Sequence, residues 1–313
     1  MRKNQTSSAN PTTTTRGRLL TFQGNPPSFP CCLLPILVGL LLLVPSSAPA
    51  QVQALPLKAL ELPGPGNQSG CLIRNLLPGA IPEVTTDCMS IVGPGQHTEP
   101  ASLEHEVVWL FVRGKATLET KDKTYQVEED TIARAPLGWP WDIRVSKGET
   151  LLAVRIRKQL SAADKAEFDK YPRNNLEPYV KRFSECTPYK EAIKSPKTVS
   201  RTLLPENIVP RMAVGTVETT GPDRVAPHQH PMLEQLFLGL KGNDCILTAD
   251  AARVAFPPLS ILHIPLGSLH GVEVAEGKRL YYVWMDFFGK KEGQEWLKMH
   301  TPIDKGEAKA TSP

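Results

Sequence analysis

His228-Gln229-His230-Pro231-Met232-Leu233-Glu234-Gln235 is the stretch on which the reading turns, together with Pro265-Leu266-Gly267-Ser268-Leu269-His270, which ends 35 residues later. Two histidines at i and i+2 of a strand project from one face. A turn at Pro231-Met232 brings the following strand back beside them. There Glu234 and Gln235 point to opposite faces, so only one can aim at an ion held by the pair. The Pro265-Leu266-Gly267 turn then returns a third imidazole to the same end. An His-x-His on a strand is, alone, more often structural than metal-binding. The turn-borne His270 at this spacing reverses that weighting. Three imidazoles and one oxygen ligand leave two positions for water or substrate. Such a set suits one divalent transition metal (Mn, Fe, Co, Ni or Zn), and ligand softness does not separate these.

Outward from this stretch, the chain reads as two copies of one unit. Val107-Val108-Trp109-Leu110-Phe111-Val112-Arg113-Gly114 matches Gln235-Leu236-Phe237-Leu238-Gly239-Leu240-Lys241-Gly242 at an offset of 128, and Ala135-Pro136-Leu137-Gly138 matches Ile264-Pro265-Leu266-Gly267 at 129. Each copy holds short β-branched or aromatic runs between Gly, Pro and Asp turns, such as 124–127, 151–156, 213–218 and 280–284. The pattern predicts an all-β sandwich or barrel. The copies span 65–158 and 198–290. Between them, at 159–197, Ser161-Ala162-Ala163-Asp164 opens like a capping box into a helix stopped by Pro172, and a second helical stretch is expected over 178–184. Residues 291–313 form a charged, Pro-containing tail.

These residues resemble the cupin superfamily, whose first motif runs G-x5-H-x-H-x3or4-E-x6-G and whose second contains P-x-G-x2-H. His228 and His230 give the His-x-His, Gly242 closes the first motif, and Pro265, Gly267 and His270 complete the second. Gly221 is one residue too far from His228, and Gln235 stands in the Glu slot. The resemblance covers about 65–290. It implies two tandem jelly-roll (double-stranded β-helix) barrels, a bicupin, with His228, His230, Gln235 and His270 as metal ligands. Glu234 is kept as an alternative ligand to Gln235. The first copy has drifted. His97-Thr98-Glu99-Pro100 parallels His228-Gln229-His230-Pro231, Val107 stands at Gln235 and Trp141 at His270. That barrel is expected to be metal-free, with Trp139 and Trp141 filling its mouth.

The first 50 residues carry Arg2, Lys3, Arg16 and Arg18, no acidic residue, an apolar run from Cys31 to Val44, and Ala48-Pro49-Ala50 before Gln51. They read as a secretory leader, with a secreted or periplasmic mature protein. An uncleaved leader would be the only tie to a membrane, since the run is short of a bilayer span. The chain has 36 Lys and Arg against 32 Asp and Glu. All four excess charges lie in the leader, so no nucleic-acid footprint remains. Cys71, Cys88, Cys186 and Cys245 can pair outside the cytosol, and Cys71 with Cys88 is the preferred pairing.

Three imidazoles and a neutral amide leave the metal's charge uncompensated, which favours an anionic or chelating small molecule such as an enolate, carboxylate or hydroxy-ketone. The leading reading is a metal-dependent enzyme on a small anionic or sugar-derived substrate, whether isomerase, lyase, hydrolase or dioxygenase. Glu234 and His263 are its candidate bases. The alternatives are a non-catalytic ligand-binding module and a structural bicupin. An enzyme requires a polar cavity with a titratable group within reach, a binding module a cavity without one, and a structural protein a cavity plugged by aromatics. Arg134, Arg211, Arg224 and Arg279 are minor candidates for ligand contact, whereas His105 and His300 carry no functional signal. Cupin barrels commonly pair, which makes a homo-oligomer a candidate assembly.

Overall fold

Alternating residues of the central strands are apolar on both faces, which requires each strand to be covered on both sides. In the strand His105–Thr120, Val108, Leu110 and Val112 lie in one cluster, and Trp109 and Phe111 in another. In the strand Leu233–Gly239, Leu236 and Leu238 join the first of these clusters, while Phe237 joins a third. The period of two thus sorts side chains between two barrel interiors and one core shared by the barrels. That shared core takes Ile132, Leu152, Val154 and Ile156 from the first copy and Val214, Ile261, Val283 and Met285 from the second. Tyr281 crosses it to donate a hydrogen bond to Asp130 Oδ2 at 2.7 Å.

The computed structural model describes residues 57–121, 123–205 and 208–293. The leader, its expected cleavage point and most of the tail, with His300, lie outside them. All the strand pairs are antiparallel. One face of the C-terminal barrel is a seven-stranded sheet in the order Leu60–Glu61, Ser260–Ile264, Leu233–Gly239, Arg279–Phe288, Met212–Thr220, Val199–Leu204, Thr187–Tyr189. Its other face has four strands, in the order Asp223–His228, His270–Val274, Cys245–Ala249, Ala252–Phe256. A nine-stranded sheet curls into the N-terminal barrel. The all-β, two-barrel expectation holds. Among the described residues no helix is long and apolar enough to cross a membrane.

The segment between the copies is less helical than its composition suggests. The helix Ala162–Lys170 forms as expected, with Ser161 and Asp164 closing a reciprocal capping box. The expected second helix over 178–184 is instead a strand, Tyr179–Arg182, running into a 3-10 turn, Phe183–Glu185. Tyr179 and Val180 are good strand formers, and the 131–134 strand offers them an open edge, with Val180 paired to Ala133. The segment's next strand, Thr187–Tyr189, adds to the C-terminal sheet beside Val199–Leu204. Leu60 and Glu61, from before the first copy, pair with Ile261 and Ser260 of the second. The linear boundaries 65–158, 159–197 and 198–290 therefore understate how far the two barrels exchange strands.

The preferred disulfide is absent, and the four described cysteines are free. Cys71 pairs across to Ile91 while Cys88 pairs to Arg74. Three rungs separate them, roughly 10 Å along the ladder, beyond the roughly 7 Å that a disulfide tolerates between Cα atoms. Cys88 is also buried in the core between the barrels, whereas Cys71 is exposed.

Candidate functional site

His228 ends the strand Asp223–His228 and His270 begins the strand His270–Val274, and the two pair directly across the ladder. A register shift between Val225 and His228 sets this alignment. His230 follows in the loop, where its carbonyl accepts from Gly267 N at 3.1 Å and ties the two motif turns together. Gly267 adopts φ +74°, a left-handed conformation that favours glycine, so the Pro-x-Gly turn has a geometric reason. All three imidazoles are buried, and their ligand atoms lie within 4.8 Å of one another. Two nitrogens bound at about 2.1 Å can be at most about 4.2 Å apart, so the rings must close inward to hold one ion together. Among the described residues it is the one group of three or more His, Cys, Asp or Glu with this geometry.

The surroundings orient the ligands. His228 Nδ1 is 2.8 Å from the Ala226 carbonyl, and His270 Nδ1 is 2.9 Å from the Ser268 carbonyl. A carbonyl only accepts, so both rings carry the proton on Nδ1 and keep the Nε2 lone pair for an ion. Gln235 projects into the same cavity and donates through Nε2 to Asp286 Oδ1 at 2.8 Å. Its Oε1 is buried without a hydrogen-bond partner. A buried acceptor left in this state is costly, and a cation beside the triad would satisfy it. The donor set of three imidazoles and an amide oxygen therefore fits a divalent transition metal. Asp286 is fully buried, and desolvation pushes its carboxyl up to about 7 against the opposing Gln235 hydrogen bond.

The cavity in front of the histidines measures about 350 Å³. Much of its polar wall comes from the stretch 187–194, between the two copies. Glu191 and Lys194 form an ion pair at 2.7 Å, and Lys194 also donates to Ser200 Oγ at 3.1 Å. Burial depresses the Lys194 ammonium, and Glu191 opposes that shift. Tyr189 and Trp284 supply aromatic walls. Trp284 pairs across the sheet with Gly215 and lies against its bare backbone. A Cβ at residue 215 would come within 2.3 Å of the indole and 2.6 Å of the Arg201 carbonyl oxygen. Gly215→Ala should therefore cost about 1–3 kcal/mol and drive the indole into the cavity. Urea unfolding combined with tryptophan emission checks this, and unchanged stability would refute the packing.

The expected bases are not at this site. Glu234 and His263 hydrogen-bond each other at 2.9 Å, and Glu234 also accepts from Leu266 N at 3.0 Å. Glu234 follows the alternation of Leu236, which faces the shared core, so it points away from the Gln235 side and is no alternative ligand. His263 pairs with Leu236 on the neighbouring strand and shares that face. Of the arginines, Arg134 pairs with Glu106, Arg211 with Asp164 and Glu83, and Arg279 with Glu218. Arg224 is exposed, and none of the four lines the cavity.

The N-terminal barrel has a different interior. Glu99 pairs with Trp141, and His97 pairs with Ile143. Trp141 stands at the place of His270, whose partner is His228, so Glu99 rather than His97 occupies the His228 position. Aligning His97 with His228 by sequence was two residues out of register. Trp141 is buried and stacks on Tyr125, and Trp139 lies 3.7 Å beneath the Lys121 ammonium. Glu99 takes a hydrogen bond from Arg155 Nη1 at 3.0 Å.

No family model matches the sequence, and no curated protein matches it either. Solved structures do match. A putative glyoxylate-induced protein of Pseudomonas aeruginosa is 14% identical, with TM-score 0.58 over 75% of this chain and 84% of that one. Procruciferin, an 11S globulin of Brassica napus, is 10% identical, with TM-score 0.57 over 77% and 86%. An oxalate decarboxylase of Bacillus subtilis is 13% identical, with TM-score 0.52 over 81% and 86%. At such identity the likeness carries the fold alone. The chain shares the tandem jelly-roll fold of these structures.

Proposed function

We propose that the C-terminal barrel is the centre of a metal-dependent enzyme acting on a small, chelating anion. His228, His230, His270 and Gln235 would hold one divalent transition metal (Mn, Fe, Co, Ni or Zn). The observation that carries this reading is the buried imidazole triad opening onto a cavity whose wall holds Glu191, Lys194 and Asp286. Aromatics do not plug that cavity, and titratable groups line it, which favours an enzyme over a structural bicupin or an inert binding module. The bound metal would supply Lewis acidity toward a carbonyl or enolate oxygen.

The charge balance supports an anion. The ligands are neutral, Glu191 and Lys194 offset each other, and burial suppresses the charge of Asp286. The metal's charge then dominates the cavity. Glu191 would take a proton from a substrate and Lys194 would hold the charge that develops, while Asp286 holds the Gln235 amide. The leader supports export of the mature protein, with the barrel working on a free small molecule.

Elemental analysis of protein never exposed to chelator should find about one transition metal per chain. None would overturn the proposal, and two would overturn the loss of the N-terminal site. In the cobalt-substituted protein, glycolate should shift the visible spectrum by entering an open coordination position. No shift with any small hydroxy acid or oxo acid would overturn the substrate class.

A further inference from the structure

We propose, resting on the metal-centred function given to the C-terminal site, that its substrate carries an aromatic ring beside the chelating group, and that Trp284 and Tyr189 select that ring. The strand register sets the distances. Gln235, Asp286 and Ala213 lie in one row across the sheet. Phe237, Trp284, Gly215 and Thr202 make a second row. Residues two apart on a strand share a face, so both rows look into the barrel, about 7 Å apart. A chelating group held at the Gln235 row therefore presents a ring on its neighbouring carbon to the Trp284 row.

The second row is built with room for that ring. Gly215 has no side chain, and the indole carbons Cζ2 and Cε2 lie 2.3 and 2.5 Å from where its Cβ would stand. The indole is thus laid over the bare strand, and Trp284 stays half-buried on the cavity wall. Tyr189, also half-buried, lines the same cavity from the strand Thr187–Tyr189, with its ring centroid 5.6 Å from the Lys194 ammonium. Leu204, Ala213 and Val225 add apolar lining. At about 350 Å³ the cavity falls in the range of about 300–1,000 Å³ that small-molecule sites occupy. A two-carbon acid would leave that apolar lining against water, which is unfavourable.

The N-terminal barrel differs at the same places. Trp109 stands where Phe237 stands, at the offset of 128, and it pairs with Arg155, which pairs in turn with Asp87. Arg155 and Asp87 thus replace Trp284 and Gly215, and they form an ion pair at 2.7 Å. The copy without the imidazole triad is also the copy without the aromatic wall, which ties that wall to the metal site rather than to the fold. Ring pairs gain about two- to tenfold in affinity beyond what their buried area supplies, so an aromatic wall discriminates between a flat ring and a saturated one.

The test titrates the cobalt-substituted full chain with glycolate, with both enantiomers of mandelate and with hexahydromandelate, read by the visible spectrum. One mandelate enantiomer should bind about tenfold or more tighter than glycolate, and about two- to tenfold tighter than hexahydromandelate. Trp284→Leu should lower the ratio of mandelate to hexahydromandelate affinity towards one. Equal affinity for glycolate and mandelate would overturn the proposal, and so would hexahydromandelate binding as tightly as mandelate or an unchanged ratio in the variant. If Trp284→Leu does not fold, Tyr189→Leu, on the outermost strand of the sheet, takes its place with the same expected loss. A spectrum that responds to glycolate but shows no ring preference leaves the metal-centred function standing and removes this proposal alone. Failure of cobalt to bind, or a spectrum silent to every acid, would overturn both.

Discussion

His270→Ala should empty the C-terminal barrel, lowering metal affinity by about 100-fold or more, whereas His97→Ala should leave metal content unchanged. The first magnitude follows from the site's construction. Loss of a group that merely orients a ligand typically costs 10- to 100-fold in affinity, and His270 would be a ligand itself. Its ring is 4.4 Å from His228 and 5.4 Å from His230, centroid to centroid, so no other imidazole can move into the gap without breaking the pair that remains. The second expectation follows from register. His97 stands opposite Ile143 in the other barrel, where Trp141 is buried in the place of a third imidazole. Equilibrium dialysis against zinc, with both variants, separates the outcomes. Equal loss in both would mean that the barrels share one site, and no loss in either would remove the triad from metal binding.

How much of this was legible in the sequence depends on how local the signal was. The second motif is a turn, and the left-handed φ at Gly267 binds residue type to geometry within three residues. The His-x-His and the strand alternation are local as well. The register of the first copy was not, because a shift between Val225 and His228 in the second barrel has no counterpart in the even pairing of Gly95–Glu99 with Trp141–Val145. A linear comparison cannot see a bulge in one copy only. Tyr179–Arg182 read as helix because its own residues permit either state, and what decided it was an open strand edge more than 40 residues earlier in the chain. The same limit hid Glu191 and Lys194. They reach the cavity only because the 187–189 strand docks on the C-terminal sheet and Lys194 bridges to Val225. Glu234 and His263 attracted notice by their nearness in sequence to the ligands, but the pleat puts them on the wrong face.

Glu106→Leu should destabilise the protein by about 3–5 kcal/mol, and adding Arg134→Met should recover most of that loss. Arg134 is fully buried and meets Glu106 through two hydrogen bonds, Nε to Oε2 at 3.0 Å and Nη2 to Oε1 at 2.5 Å. It also donates to Asn175 Oδ1 at 2.8 Å, an oxygen that accepts from Leu137 N as well, which joins the segment between the copies to the first barrel. Removing the carboxylate leaves a guanidinium in a region from which water is excluded, and breaking a buried pair from one side typically costs about 3–5 kcal/mol. Removing both charges trades the desolvation of two ions for apolar contact, which is often close to neutral. The asymmetry between single and double variants is therefore the signature, and urea unfolding midpoints would reveal it. A nearly neutral Glu106→Leu would mean that water reaches Arg134 in solution. Since the 179–182 strand pairs with the same 131–134 strand that carries Arg134, loss of the pair should also loosen that strand, with faster amide exchange at Val180 than at the Leu233–Gly239 strand beside the metal ligands.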